Sequence, residues 1–232
     1  ESQEERMENL EVTLSSNPAF LKSKSWLIDR IEPGSAASVR NRDIELDGGF
    51  LFGLTDAVRG TVTISVKSAD TILGEENIPV ELLAYNEWGG SGYMPELLAA
   101  FSMPNDPAVD RVLHEASLVL RRAGKKDGID GYKSGSRQRV WEIVSAIYTA
   151  IANLGISYAL PPASFEKNGQ KIRLPNQILE NRVATCLDTT LLFTAAFEQA
   201  GLNPVIAMPK GHAVAGVWLQ PEELTTIVIE DA

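Results

Sequence analysis

The hydrophobic periodicity of this chain changes once, at the glycine-rich stretch 86–93. Before that stretch, apolar residues alternate with polar ones, as in 10–14 and 62–66. This pattern is typical of strands with one face exposed to solvent. After it, apolar residues recur every three or four positions, most clearly over 140–154, which is typical of amphipathic helices. A chain that keeps strands and helices in separate parts is expected to fold as an α+β protein, with a domain boundary at the glycines.

The first domain, residues 1–86, is predicted to be an antiparallel β-sandwich. Short apolar runs recur along it and are separated by turn-prone glycine, proline and acidic residues. About seven strands at roughly ten-residue spacing fit a small sandwich of immunoglobulin-like type. The predicted strands include 10–14, 26–31, 44–46, 50–54, 62–66 and 78–84, and the predicted turns are 32–35, 46–49 and 74–77.

Helical spacing dominates the rest of the chain, which we divide into a helical linker region, 87–136, and an α+β core domain, 137–232. Each predicted helix has a recognisable start or stop, such as proline at its first position or glycine after its last turn. The predicted helices are 95–101, 107–124, 140–154 and 187–200, and short strands are expected at 204–208, 212–219 and 225–229.

The stretch 124–139, between the second and third predicted helices, has four glycines and is locally basic in an acidic chain. It has two interpretations: a mobile loop that binds an anionic partner, or a solvated connection between helices. We favour the second, because the residue order of a phosphate-cradling loop is missing and no strand precedes it.

The amino-acid composition argues against several classes of function. The chain carries 21 basic and 31 acidic side chains, a net charge of −10, which disfavours direct nucleic-acid binding. One cysteine and two distant histidines make neither a disulfide nor a zinc site, so we expect no metal and no cofactor. No apolar run approaches the ~20 residues that cross a bilayer, and the acidic start does not resemble a secretory signal. We therefore expect a cytoplasmic protein with no membrane partner.

The single cysteine, Cys186, lies where the last predicted helix begins. Thr185 is a suitable N-cap, and Asp188 can serve as the acidic member of a capping box. The thiol then lies in the first turn, where free amide N–H groups and the helix dipole favour a thiolate. His212 follows 26 residues later at the start of a predicted strand, and is a candidate base for the thiol. The alternative for both residues is structural, as a small buried cysteine and a hydrogen-bonded histidine.

A strand pairing supplies the candidate third member of a triad. If 212–219 and 225–230 form a hairpin, the end of the second strand lies level with His212. Side chains alternate along a strand, so only one of Glu230 and Asp231 can face the imidazole. We favour Asp231 as the group that orients His212, with Glu230 as the second choice.

The segments 182–205 and 211–218 resemble the core of the transglutaminase-like, papain-related superfamily. The resemblance rests on a cysteine that opens a helix, an Ala-Gly-x-x-Pro run that leads into a strand, a His-Ala strand and a last strand that ends in Asp. It extends over about residues 137–232. The chain departs from the family pattern at Ala184, where the family usually has glycine.

This resemblance implies a Cys-His-Asp triad in which Cys186 is the nucleophile, His212 the base and Asp231 the orienting acid. The implied activity is thiol-dependent hydrolysis of a peptide or protein amide, with acyl transfer to an amine as the less favoured reaction. The amide of Cys186 itself is one candidate oxyanion donor, and Gln177 or Asn176 is a candidate second. Because Trp218 shares the parity of His212 on the predicted strand, it is expected to form a wall of the site or of the core.

The whole chain, especially 86–90, 97–101, 161–165 and 186–218, also resembles the N-terminal regions of large bacterial helicase-related proteins. This second resemblance implies that the chain is a piece of a longer polypeptide, which would then be its partner. It also supplies the alternative function, a non-catalytic interaction module that keeps the fold but uses its surface.

Overall fold

The computed structural model describes residues 6–40, 43–93 and 95–229. The chain divides into two compact units, Glu1–Tyr85 and Asn86–Ala232. The first contains a four-stranded antiparallel sheet and one short helix, whereas the second contains most of the helices and three pairs of short strands. The expected mixture of strands and helices in an α+β chain is confirmed at this level.

The sheet of the first unit has the strand order β2-β1-β3-β4, and each neighbouring pair is antiparallel. Its alternating apolar residues turn one face toward a small core that contains Leu14, Phe20 and Leu21, against which the apolar side of the short helix α1 packs. The elements are β1 (Met7–Asn17), β2 (Lys24–Ile31), α1 (Gly48–Phe52), β3 (Val58–Ser68) and β4 (Thr71–Leu82).

The described part of this unit contains one sheet, not the two facing sheets of a sandwich. The predicted strand 50–54 is wrong, because the Asp47 carboxylate accepts a hydrogen bond from the Phe50 N–H at 2.9 Å and begins α1 there. The predicted turn 74–77 is also wrong, since those residues lie inside β4 and the chain reverses at Ala69 and Asp70 instead.

The second unit is built around three packed helices. They are α2 (Pro107–Arg122), α3 (Arg137–Ala152) and α6 (Cys186–Gln199), whose apolar faces share one core. The region 87–136 therefore contributes α2 to this core. The remaining helices are a 3-10 helix (Pro95–Phe101), α4 (Phe165–Asn168) and α5 (Pro175–Asn181).

Six short strands pair in twos around these helices. β5 (Glu87–Trp88) and β7 (Gln170–Lys171) are antiparallel, as are β9 (Pro204–Ala207) and β10 (Val214–Val217). β6 (Ser157–Tyr158) and β8 (Val183–Ala184) are parallel, with Tyr158 opposite Ala184. The second strand of this parallel pair, β8, leads directly into α6. The carboxyl end of β8 therefore positions Cys186.

The basic stretch 124–139 is held in place by hydrogen bonds, and we call it the clasp. Its buried Arg139 donates hydrogen bonds to the carboxylates of Asp130 and Glu142 and to two backbone carbonyls of the loop. The Tyr132 hydroxyl donates to the carbonyl of Trp218 at 2.8 Å and accepts from the Asn203 N–H at 3.1 Å. These contacts tie the loop to the ends of β9 and β10 and favour a structural connection.

The predicted strand 225–229 is wrong. Those residues are not in a strand. Ile227 and Ile229 are exposed, so their side chains have no neighbouring surface whose burial would stabilise a strand there. In the described part of the chain, β10 pairs with β9 alone. The hairpin that was to carry the third catalytic group is therefore missing as far as residue 229, while Glu230 and Asp231 lie outside the described residues.

None of the helices within these described ranges is long and apolar enough to cross a lipid bilayer.

Candidate functional site

The site is built on the junction between β8 and α6. Thr185 lies between them with extended backbone, and its hydroxyl accepts from the Asp188 N–H at 3.2 Å. In turn, the Asp188 carboxylate accepts a hydrogen bond from the Thr185 N–H at 2.9 Å. This reciprocal capping box, which the sequence predicted, makes Cys186 the first residue of α6.

The carboxylate of Asp188 is fully buried and joins α6 to the segment before α5. It accepts from the Arg173 N–H at 2.9 Å and from the Arg173 guanidinium at 3.0 Å, in addition to the Thr185 N–H. A buried carboxylate is stable only when charge and hydrogen bonds compensate its desolvation. Arg173 provides that compensation, and the first turn of α6 is held in place as a result.

Two N–H groups beside the thiol are unpaired in the described part of the chain. The capping box occupies the N–H groups of Thr185 and Asp188, whereas those of Cys186 and Leu187 have no hydrogen-bond partner within 6–40, 43–93 and 95–229. The positive end of the helix dipole lies at the same place. A negative oxygen next to the Cys186 sulfur would find donors already oriented toward the helix start.

The thiol itself is buried, with 6% of the residue exposed. It packs in an apolar cluster with Trp88, Phe165, Ile172 and Ala213. Trp88 lies opposite Gln170 in the β5–β7 pair, and the Gln170 amide donates to the Thr185 hydroxyl at 2.9 Å. The strands β5 and β7 thus form the wall beside the start of α6.

Polar atoms of this wall are left without partners. The Trp88 indole N–H and the Gln170 side-chain oxygen are buried and have no hydrogen-bond partner among the residues described. Trp88 is 2% exposed and shares the cluster of Cys186. A buried indole N–H normally has an acceptor, so this donor is a second feature that suits an oxygen-bearing ligand near the thiol.

Tyr158 lies on the strand paired with the one that leads to Cys186. Parallel pairing of β6 with β8 places it opposite Ala184, two residues before the cysteine. The pKa of Tyr158 is raised above its ordinary 10.0, first by loss of solvation and then by the charge of Cys186 and its hydrogen bond to the phenol. Sequence periodicity did not identify this residue, since a two-residue strand carries no periodic signal.

His212 lies just before β10 and is exposed. Its neighbour Ala213 packs in the cluster of Cys186, which brings this part of the chain to the thiol. The imidazole has no hydrogen-bond partner in the described portion of the protein, the thiol included. The structure thus brings the backbone at His212 to Cys186 without joining their side chains, and the triad with Asp231 stays a prediction.

The three auxiliary residues predicted from the sequence have other contacts. Gln177 accepts from the Leu174 N–H at 3.0 Å and Asn176 from the Gln177 N–H at 2.9 Å, so both side chains serve the start of α5. Trp218 follows β10, and its indole N–H is buried without a partner in the described chain. Their predicted roles beside the thiol are not reflected in these contacts.

His114 lies at an open groove of about 480 Å³ that does not include Cys186. Both signs of charge line this groove, from Asp110, Arg111, Glu115 and Arg182, so it has no evident preference for an anion or a cation. Within the described residues, no group of three or more His, Cys, Asp or Glu side chains is placed to hold a metal ion.

Comparison of the chain with protein-family models, with curated proteins and with solved structures found no match.

Proposed function

We propose that the second unit is a transglutaminase-like, papain-related domain that hydrolyses a peptide or protein amide with Cys186 as nucleophile. The observation that carries the proposal is the start of α6, where a thiol lies at the positive end of a helix with two N–H groups that have no partner among the described residues. The buried and unpartnered indole N–H of Trp88 in the same cluster supports it. The resemblance of residues 182–205 and 211–218 to that superfamily agrees with this assignment.

In the proposed reaction, His212 removes the thiol proton as the sulfur bonds to the amide carbon. The carbonyl π electrons move to oxygen, and the N–H groups of Cys186 and Leu187 stabilise the oxyanion. The tetrahedral intermediate collapses with cleavage of the C–N bond, and the imidazolium returns the proton to the leaving amine. Water then hydrolyses the thioester, which yields the carboxylic acid and regenerates the thiol.

Asp231 orients His212 in this proposal. Hydrolysis is preferred over transfer to a second amine, because no site for an amine is evident in the described part of the chain.

Alkylation by iodoacetamide tests the nucleophile directly. Cys186 is the only cysteine in the sequence, so one mass shift reports on that thiol alone. We expect His212→Ala to slow alkylation at least tenfold at neutral pH and to abolish cleavage of a mixture of peptide coumarylamides. His114→Ala is the matched control and should change neither. Equal alkylation rates in the wild type and His212→Ala would refute the Cys-His pair.

The second candidate is a non-catalytic interaction module within a helicase-related polypeptide. The burial of Cys186 and the lack of a hydrogen bond to the His212 imidazole favour it. It predicts that Cys186→Ala leaves every property of the domain unchanged except its reaction with iodoacetamide. Loss of peptide cleavage in that variant would eliminate the module interpretation.

A further inference from the structure

The strongest unassigned feature of the second unit is the buried carboxamide of Gln170. Its Nε2 group donates to the Thr185 hydroxyl at 2.9 Å, which places the carboxamide at the cap of α6, one residue before Cys186. Its other end, Oε1, is buried and has no hydrogen-bond partner among the residues that the structure describes. Because both atoms are attached to one carbon, the unpartnered oxygen also lies near the start of α6. Gln170 is 5% exposed, and a buried acceptor without a donor destabilises the fold unless a ligand supplies one.

The backbone holds Gln170 in this position. Antiparallel pairing of β5 with β7 places it directly opposite Trp88, and the side chains of directly opposite residues leave a sheet on the same face. Two further bonds extend the pairing, since the Ile172 N–H donates to the Asn86 carbonyl and the Asn86 amide donates to the Ile172 carbonyl, both at 2.7 Å. Gly169 has a φ of +79°, and an added Cβ there would overlap the Trp88 carbonyl oxygen. The two segments therefore pack backbone against backbone, which fixes the direction in which Gln170 leaves β7.

Trp88 provides a second, independent observation on the same wall. Its ring packs in the cluster of Cys186, and its indole N–H is buried without an acceptor in the described chain. Two neighbouring side chains on one face of the β5–β7 pair thus have one unpartnered donor and one unpartnered acceptor. An apolar ligand would satisfy neither group, whereas an amide carries both a C=O acceptor and an N–H donor.

The free donors and acceptors at the start of α6 divide between the two ends of an amide. In the proposed reaction, the N–H groups of Cys186 and Leu187 bind the carbonyl oxygen, so this oxygen has donors without Gln170. The amide N–H still needs an acceptor. Buried side-chain oxygens without partners in the described ranges belong to Glu166, Gln170 and Gln199, and of these side chains only that of Gln170 is bonded to the cap of α6.

We propose that Gln170 determines the specificity of the thiol site: its Oε1 accepts a hydrogen bond from the N–H of the substrate amide. The site then takes amides whose nitrogen carries a hydrogen and discriminates against N,N-dialkylated amides and esters, which leave this oxygen buried without a donor. The inference rests on the proposed function and narrows its substrate class. Gln170 binds and orients the amide, while the proton transfers remain with His212.

Two alkylating reagents of the same shape test this role without any turnover. N-methyl-iodoacetamide carries an N–H where methyl iodoacetate carries an oxygen, and the sulfur attacks the same carbon in both. The ratio of the two rates is measured for Cys186, the only cysteine of the sequence, in the folded chain and in urea. We expect the folded chain to prefer the amide reagent about tenfold more than the unfolded chain does, which is the scale of one hydrogen bond.

A variant then assigns this preference to Gln170. Gln170→Met keeps an unbranched side chain but removes the acceptor, so we expect the rate ratio to fall to that of the unfolded chain. A general change in the reactivity of the thiol cancels in this ratio. Gln199→Met is the matched control, because Gln199 also donates with one amide end, to Asp110 at 2.6 Å, and has a buried oxygen without a partner in the described chain, but lies at the other end of α6. Its ratio should equal that of the wild type, and thermal unfolding verifies that both variants are folded.

The outcomes separate this inference from the proposed function. A wild-type ratio within about twofold of the unfolded value would refute the inference, even if Gln170→Met does not fold. A preference that survives in Gln170→Met, or that is lost equally in Gln199→Met, would also contradict it. If the preference depends on Gln170 but no peptide coumarylamide is cleaved, the amide-binding role stands and the hydrolase fails. If coumarylamides are cleaved without this preference, the hydrolase stands and the role of Gln170 is wrong.

Discussion

Replacement of Asp188 by alanine is the sharpest perturbation of the local architecture. This carboxylate is fully buried and accepts three hydrogen bonds, from the Thr185 N–H, the Arg173 N–H and the Arg173 guanidinium. Its removal leaves two backbone N–H groups without an acceptor, that of Thr185 at the start of α6 and that of Arg173 in the segment before α5. The variant therefore separates the contribution of the capping network from that of general helix propensity.

The magnitude follows from those contacts. Each backbone N–H that loses a charged acceptor costs about 1.5 kcal/mol, which gives about 3 kcal/mol for the pair. The guanidinium contributes little more, because the Arg173 side chain is 41% exposed and water replaces the lost carboxylate. We therefore expect Asp188→Ala to lower the free energy of unfolding of the second unit by about 3 kcal/mol.

Arg173→Ala tests the other half of the network. It keeps both backbone donors but leaves the fully buried Asp188 carboxylate without its cation, so we expect a loss of about 3 kcal/mol or more. Urea-dependent hydrogen exchange of peptides that cover α6 measures the second unit separately from the first. A loss below about 1 kcal/mol in Asp188→Ala would refute the view that the two N–H bonds are important, and a loss below about 1 kcal/mol in Arg173→Ala would refute the compensation of the buried carboxylate by the guanidinium.

Two further predictions concern the clasp 124–139. Gly131 has a φ of +54°, and an added Cβ would lie 2.7 Å from a backbone carbonyl just beyond α6, so Gly131→Ala should cost about 2 kcal/mol or more in urea unfolding. At Gly135, with a φ of +64° and open space, alanine should cost only about 1 kcal/mol, and equal losses at both positions would contradict the steric argument. The second prediction concerns pH: hydrogen bonding to Arg121 and the charge of that guanidinium lower the pKa of Asp127 below its ordinary 3.8. The folded state thus holds the carboxylate more favourably than the unfolded state does, so its stabilising effect is present above pH 3.8 and is lost as pH falls through the lower folded value. Urea midpoints measured between about pH 2 and 6 should fall less steeply in Asp127→Asn, and parallel curves would contradict the assignment.

The helices were predictable because each combines a long apolar stripe with a local start signal. The caps Asp106, Ser136 and Thr185 lie one, four and two residues before the predicted helix starts at 107, 140 and 187, so the helices were located although the start of α3 was placed too late. These signals act within three or four residues, so no tertiary information is needed to recognise them. The strands β1 and β3 were predictable for the analogous reason, because apolar and polar residues alternate over 10–14 and 62–66 at their centres.

The errors occur where tertiary context decides. The apolar residues of 50–54 satisfy a strand pattern, yet Asp47 caps a helical turn there and the turn packs on the sheet. The apolar residues of 225–229 satisfy a strand pattern as well, but β10 pairs only with β9 in the described chain. A short apolar run is compatible with helix, strand or exposed coil, and only a neighbouring surface selects among them.

The residues of the thiol site also divide into those that local sequence predicts and those that only tertiary contacts bring together. Cys186, Thr185 and Asp188 were identified from spacing along one element, whereas Tyr158 and Arg173 reach the site from elements 28 and 13 residues earlier. Contacts between separate short segments leave no periodic trace in one sequence. The capping box could therefore be predicted, but the cation at the buried carboxylate could not be.

The buried carboxylate bears on whether Cys186 is structural. An exposed serine or threonine cap would begin a helix equally well, without the desolvation of a charged group. Here, the fold instead buries Asp188 and fixes it from Arg173 and Thr185, which restrains the position of the first turn beyond what helix formation requires. Such restraint is expected where the exact placement of one side chain matters, as at a nucleophile. Asp188→Asn keeps the shape of the side chain and one acceptor oxygen. If this variant stays folded but Cys186 no longer reacts with iodoacetamide, the restraint serves the thiol. If the reactivity is unchanged, the restraint serves stability alone.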